Sequence, residues 1–262
     1  MLRRALRFCV AVALLAPLTA GGRAAESPTG VPILVYHRFG PVAADGMTVT
    51  TPVFEAQLAW LREHGYRFLS LRAVVDAMCG KGKERPLPAK SVAITADDGH
   101  ASVYSEMFPV VQRHQVPVTL FIYPSAISNA SYALTWEQLS EMLRAGGIDV
   151  QSHTFWHPNF RTEKARLSAS QYGTFVDSQL VRSKERIAAR LGIQPPDMLA
   201  WPFGIHDPEL EQAARRTGYT AAFTLERRHA RPGTDCLALP RYLMTDLDRG
   251  ARFAAIFAEP KS

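Results

Sequence analysis

Short apolar runs alternate with longer stretches in which apolar residues recur at helical spacing. Pro32 to His37 is a β-branched apolar run. Phe54, Leu58 and Leu61 then share one helical face behind Thr51-Pro52, and Gly65 closes that helix. Arg67 to Leu71 reads as a short strand, followed by a helix ending near Gly80. Ser91 to Ala96 is the next strand, and a helical segment around Met107 to His114 leads to another over Val118 to Tyr123. Thr135-Trp136-Glu137-Gln138 has capping-box spacing and opens a helix that stops near Gly146. Ile148 to Ser152 is again a strand, and Val176, Leu180, Ile187 and Leu191 line a longer helix ending at Gly192. Met198 to Trp201, a helix from Asp207-Pro208 to Gly218, and Ala221 to Leu225 complete the pattern.

Repeated strand–helix units predict an α/β fold with parallel strands and right-handed crossovers. An open doubly wound sheet and a closed barrel both satisfy the pattern. The chain length and the polar residues spread over many strand ends favour the barrel, where chemistry gathers at the C-terminal ends of the strands.

Composition sharpens this picture at the N-terminus. Arg3, Arg4 and Arg7 precede an apolar stretch from Phe8 to Leu18, and small residues follow around Ala20 to Ala25. That is the form of a secretory signal over residues 1–25, so the protein is expected in the periplasm or outside the cell. The apolar stretch is shorter than the roughly 20 residues a spanning helix needs, and no second one follows, so no transmembrane span is expected after its removal. The rest, 26–262, has the size of one domain and carries no internal repeat. The formal charge of +6 falls to +2 without the four arginines of residues 1–25, which leaves no basic excess for nucleic acid. Cys79 and Cys236 remain, either paired or as two buried thiols, and the lack of Cys-x-x-Cys spacing excludes a thiolate zinc site. A monomer is expected.

Two strands end in metal-capable side chains. Asp97-Asp98-Gly99 closes the run from Ser91, and His153-Thr154-Phe155-Trp156-His157 closes the run from Ile148. Asp-Asp-Gly alone is ordinary turn chemistry, and a lone His-x-x-x-His is more often two unrelated histidines. Together at strand ends they supply one carboxylate and two imidazoles for a divalent cation, with the second carboxylate free to act on water. Trp201-Pro202-Phe203-Gly204 follows another strand, and its bend can expose the Phe203 N–H to a developing oxyanion. His37 ends the first strand as a proton donor or substrate contact, and His100 and His206 are further candidates near the same mouth. Trp136, Trp156, Trp201 and Tyr123 are either core or a wall for sugar rings.

Taken in order, these segments resemble the polysaccharide deacetylases that share the NodB homology domain, carbohydrate esterase family four. Thr95-Ala96-Asp97-Asp98-Gly99 is similar to the family's Thr-Phe-Asp-Asp-Gly motif, and Ser152-His153-Thr154-Phe155-Trp156-His157-Pro158 to its second motif. Pro32 to His37, Phe54 to Gly65, Thr135 to Leu139 and Leu239-Pro240-Arg241 resemble the poly-β-1,6-N-acetylglucosamine N-deacetylases of biofilm systems. The resemblance implies a distorted (β/α) barrel with fewer regular strands than eight. It makes Asp97 the catalytic base and Asp98, His153 and His157 the ligands of a divalent ion, zinc foremost, with nickel, cobalt, iron or manganese as alternatives.

Three departures stand out. Ala200-Trp201-Pro202 lacks the arginine with which the family orients its base. No histidine accompanies Leu239-Pro240-Arg241, which leaves proton donation to His37, and Ala96 replaces a phenylalanine. Trp201, Pro202 and Arg241 are the expected substrate contacts. The implied reaction is hydrolysis of the acetamide of N-acetylglucosamine units in an exported glycan. The alternatives are a deacetylase of peptidoglycan, chitin oligomers or O-acetyl xylan, and a secreted carbohydrate-binding protein whose site has decayed.

Overall fold

Every short apolar run read from the sequence becomes a strand of one parallel sheet. The computed structural model describes residues 30–80 and 87–258, so the segment read as a signal, 1–25, and the expected domain start at Glu26 lie outside the described residues. After β1 (Ile33–Tyr36), two three-residue strands, β2 (Arg38–Gly40) and β3 (Thr48–Thr50), pair only with each other. They are too short to register as hydrophobic runs. Helix α1 (Thr51–Glu63) follows with proline in its first turn and buries Phe54, Leu58 and Leu61. Next come β4 (Arg67–Phe68) and α2 (Leu71–Cys79), the helix capped by Ser70.

The central strand β5 (Ser91–Asp98) leads through a π-helical turn into α3 (Phe108–Arg113) and then β6 (Val118–Ile122). Helix α4 (Trp136–Ala145) begins with the expected Thr135–Gln138 capping box, and β7 (Ile148–Ser152) follows. The short α5 (Phe160–Arg166) precedes α6 (Ala169–Leu191), which has its own capping box at Ser168 and ends at a left-handed Gly192. β8 (Met198–Ala200), α7 (Pro208–Arg216), β9 (Ala221–Phe223), β10 (Tyr242–Leu243) and α8 (Gly250–Ala254) complete the chain.

The sheet runs β10-β1-β5-β6-β7-β8-β9, with β4 pairing the start of β5 at Ser91 and Val92. The stretch leading into β10 joins the two ends. Leu239 N–H donates to Ala222 O, and Thr224 N–H donates to Leu239 O, each at 2.8 Å, while Tyr242 and Leu243 pair with β1. The ring is closed but uneven: β7 and β8 share a single paired position, Ser152 with Leu199, and the Gln151 side chain accepts the Met198 N–H instead of backbone. This is the distorted (β/α) barrel that the family resemblance implied.

Strand alternation sorts the side chains into two layers. Val92, Ile94, Ala96, Leu120, Ile122 and Val150 join the large core under the surrounding helices. Ala93, Phe121, Ala200, Phe223 and Leu239 join a separate cluster at the centre of the ring, together with Leu71, Val74 and Val75 of α2. Thr95 and Asp97 have the parity of Ala93, so the catalytic candidate Asp97 belongs to this inner layer.

Cys79 and Cys236 are joined as a disulfide, which settles the pairing left open by the sequence. It ties the end of α2 to the segment that closes the barrel, across a sequence separation of 157. A cross-link closing a loop of this length restricts the unfolded chain, worth about 5 kcal/mol in the chain-entropy picture. Reduction is therefore expected to lower the unfolding free energy by about 2–5 kcal/mol. Denaturant titrations with and without reductant measure this; coincident curves would show that the link does not stabilise the fold.

Candidate active site

The site begins where β5 turns. Asp97 is the last inward residue of the strand, and Asp98 adopts a left-handed backbone (φ 72) that rotates its carboxylate back toward the same mouth. Gly99 continues the turn at φ 71, where an added Cβ would meet Ile127 and Ile122 at 3.0 and 3.1 Å. Neither a side chain nor an ordinary backbone fits there.

A second turn follows β7. His153 N–H donates to Ile122 O, and Thr154 N–H to Ser152 Oγ. Ser152 Oγ also bonds Ser183 Oγ and Tyr219 OH at 2.8 and 2.9 Å, anchoring the loop to α6. The Thr154 hydroxyl accepts the His157 N–H, and Gln179 Oε1 accepts the Trp156 N–H. Thr154 and His157 are both left-handed, with φ of 65 and 61. Among the described residues, four of the six non-glycine positions with positive φ are Asp98, Thr154, His157 and Phe203. Backbone strain is thus concentrated around one cavity.

Three ligand atoms meet there. The Nε2 atoms of His153 and His157 each lie 3.6 Å from Asp98 Oδ1, and one donor atom from each residue falls within 4.8 Å of the others. These separations are too long for hydrogen bonds. They suit atoms arranged about a shared ion, since tetrahedral ligands at about 2.1 Å from zinc stand about 3.4 Å apart. Ala200 O lies 2.7 Å from His153 Nδ1 and fixes the tautomer that leaves Nε2 bare. Burial pushes the His153 pKa down to about 3 and lowers that of His157, so both rings are neutral donors. Burial raises the Asp98 carboxyl, and the like charge of Asp97 adds to this, a cost that a cation would remove. The donor set fits a divalent ion with coordination positions left open.

Asp97 is held differently. Arg241 Nη1 and Nη2 bond its two carboxylate oxygens at 2.8 and 2.7 Å. Arg241 is fully buried, lies between the Phe121 and Phe223 rings, and also donates to Thr224 O and Thr95 Oγ1. Burial alone would raise the Asp97 pKa, but the guanidinium charge and its two hydrogen bonds outweigh that and hold it at about 2. Asp97 Oδ2 stands 3.9 Å from His153 Nε2, beside the ligand group.

This corrects two expectations. Arg241 is not a substrate contact: it is sealed inside the ring, gripping Asp97. The arginine absent beside Trp201 has a counterpart in the barrel-closing segment, where Arg241 holds Asp97. Trp201 backs the cavity, but its ring is buried in the core and its indole N–H donates to Leu237 O at 2.8 Å, so it offers no stacking face. Pro202 is buried beside it, and Trp136 is also core. Trp156 is exposed but packs on Phe175 away from the cavity lining, and His206 pairs with Glu211.

The cavity, about 320 Å³, is lined by His37, Arg38, Tyr123, Phe203 and Leu225 besides the four candidate side chains. His37 is buried, and its Nδ1 has no hydrogen-bond partner. Phe203 is left-handed (φ 57), 57 % exposed, and its ring packs against His157 at 4.6 Å. Sequence reasoning missed Arg38 and the role of Arg241. A charged residue inside the apolar run Leu237 to Met244 was the available signal for the latter.

An open cluster of three metal-capable residues beside an arginine-held carboxylate, at the C-terminal mouth of an α/β barrel, is the architecture of a hydrolase site. Residues 84–222, more than half the chain, match the polysaccharide deacetylase family model, and the chain belongs to that family. It is 28% identical to the poly-beta-1,6-N-acetyl-D-glucosamine N-deacetylase of Escherichia coli K12, an alignment covering 85% of this chain and 38% of that protein. The chain thus spans well under half of that relative's length. The Staphylococcus epidermidis protein of the same name is also 28% identical, over 76% of this chain and 68% of its own. Among solved structures, IcaB from Ammonifex degensii superposes with a TM-score of 0.76 at 27% identity, covering 88% of this chain and 97% of that one.

Proposed function

We propose that this protein is an exported, metal-dependent polysaccharide N-deacetylase acting on N-acetylglucosamine units, with poly-β-1,6-N-acetylglucosamine as the favoured glycan. The observation that carries the reading is the Arg241-held Asp97 next to the open Asp98–His153–His157 group. The names of the relatives support the substrate class. Export is supported by the basic and apolar N-terminal pattern and by the disulfide, which belongs to an oxidising compartment. Among the described residues no helix is long and apolar enough to cross a membrane.

Asp98, His153 and His157 would hold the ion, zinc or one of its neighbours, which when bound polarises a carbonyl and acidifies water. Asp97 accepts the proton of the attacking water at the oxygen facing the cavity. Arg241 keeps that carboxylate ionised and aimed. No protein acceptor takes the Phe203 N–H among the described residues, and it is assigned to the carbonyl oxygen as negative charge develops there. His37 lines the cavity and is assigned delivery of a proton to the departing amine. Burial lowers its pKa while Asp97 and Asp98 pull the other way, so His37 rests neutral and relays to the amine the proton that Asp97 took from water. Acetate and a glucosamine unit are the products.

The test is acetate release from β-1,6-linked N-acetylglucosamine, peptidoglycan, chitin oligomers and acetyl xylan, before and after chelation. Chelation is expected to abolish release, and added zinc, nickel or cobalt to restore it, with the β-1,6-linked glycan the best substrate. Release that survives complete metal removal would reject the reading. Glycan binding without release under every metal would favour the carbohydrate-binding alternative.

A further inference from the structure

We propose that a second cavity, bordered by Tyr132, is a subsite for the sugar adjacent to the one being deacetylated, with the Tyr132 ring as its stacking platform. This rests on the glycan reading above and replaces the substrate contacts expected of Trp201 and Arg241.

The cavity has a volume of about 410 Å³ and is lined by Arg38, Asp98, His100, Tyr123 and Tyr132. Arg38, Asp98 and Tyr123 also line the catalytic cavity, so the two spaces are adjacent and share a wall. A ligand passing over Asp98 from the metal group enters this space next. Its size lies within the range of small-ligand pockets, with room for one pyranose ring.

The walls are built in advance rather than left to a loose loop. His100 and Ala133 form an antiparallel bridge. Ala101 N–H donates to Tyr132 O at 2.7 Å, and Leu134 N–H to Gly99 O at 2.8 Å. This short ladder fastens the Tyr132 segment to the Asp98-Gly99 turn, so Tyr132 is registered against the metal group. Its ring lies nearly parallel to the His100 imidazole, at 14° and 6.4 Å between centroids.

The chemistry suits a sugar. Tyr132 is 47 % exposed, and Phe203 is the other exposed large aromatic lining these two spaces. An exposed aromatic face covers the C–H side of a pyranose, while polar groups at the rim bind its hydroxyls. Those rim groups are present: the Tyr123 and Tyr132 hydroxyls bond each other at 2.8 Å, and Arg38 is steadied by a salt bridge to Asp45. Nothing in the catalytic role of Asp97, Asp98, His153 or His157 requires Tyr132.

The experiment is calorimetric titration of the metal-loaded full chain, with turnover blocked by Asp97→Asn, using β-1,6-linked N-acetylglucosamine of one to four units. The second unit is expected to lower Kd by about tenfold, the scale of one aromatic stacking contact. Adding Tyr132→Ala should erase that step, while Tyr132→Phe should retain most of it because the ring remains. A tenfold gain from the second unit that persists in Tyr132→Ala overturns the subsite. Failure of the glycan reading looks different: no oligomer of any length would bind even with Tyr132 intact, and both proposals would fall together.

Discussion

Asp97→Asn is expected to lower kcat for acetate release by about 10²–10⁴-fold, the usual contribution of a positioned general base. The asparagine amide is nearly isosteric but cannot take a proton from water. Bound metal should stay near one equivalent per chain, because Asp98, His153 and His157 are untouched. Elemental analysis beside the kinetics separates loss of the base from loss of the ion. An Asp97→Asn protein with full metal content and near-normal kcat would remove Asp97 from the mechanism.

Arg241→Met should cost about 3–5 kcal/mol of stability, the range for breaking a buried ion pair from one side. The reason is geometric. Arg241 is sealed from solvent, Asp97 meets only the cavity, and the two hydrogen bonds between them satisfy the carboxylate on its inner side. Without the guanidinium, which lies between the Phe121 and Phe223 rings, the carboxylate is left uncompensated in the inner layer. Arg241→Lys should rescue little, since a single ammonium cannot reproduce the paired bonds. Adding Asp97→Asn to Arg241→Met should restore part of the loss, because the orphaned charge is gone. Denaturant unfolding in the presence of a chelator measures each variant free of metal linkage. Equal stability of Arg241→Met and the parent would mean the pair contributes nothing to the barrel.

These two residues show what could be read from the sequence. The strands were legible because buried parallel strands are continuous apolar runs, and the helices because caps such as Thr135 and Asp207 stand at their starts. Asp98 and His153 were legible as chemistry because they stand at the ends of such runs, and His157 because it completes a His-x-x-x-His spacing. The Arg241 partnership was not. It joins positions 144 residues apart, and it forms only because the segment from Leu239 closes the ring and carries the arginine into the centre. Trp201 misled for the converse reason: a tryptophan at a strand end is compatible with a sugar platform, but its parity places it in the layer under the helices. The π-helical turn at Val103–Met107 and the β2–β3 pair escaped notice because elements this short leave no periodic trace.

The central claim is that one cation is held by Asp98, His153 and His157 while Asp97 stays outside its ligand set. Anomalous diffraction from crystals of the metal-loaded protein tests it most directly. The account predicts a single strong peak, with one Asp98 oxygen and the two Nε2 atoms at about 2.0–2.2 Å, and Asp97 still paired with Arg241. A peak elsewhere, or an ion ligated by Asp97 with Arg241 released, would contradict it.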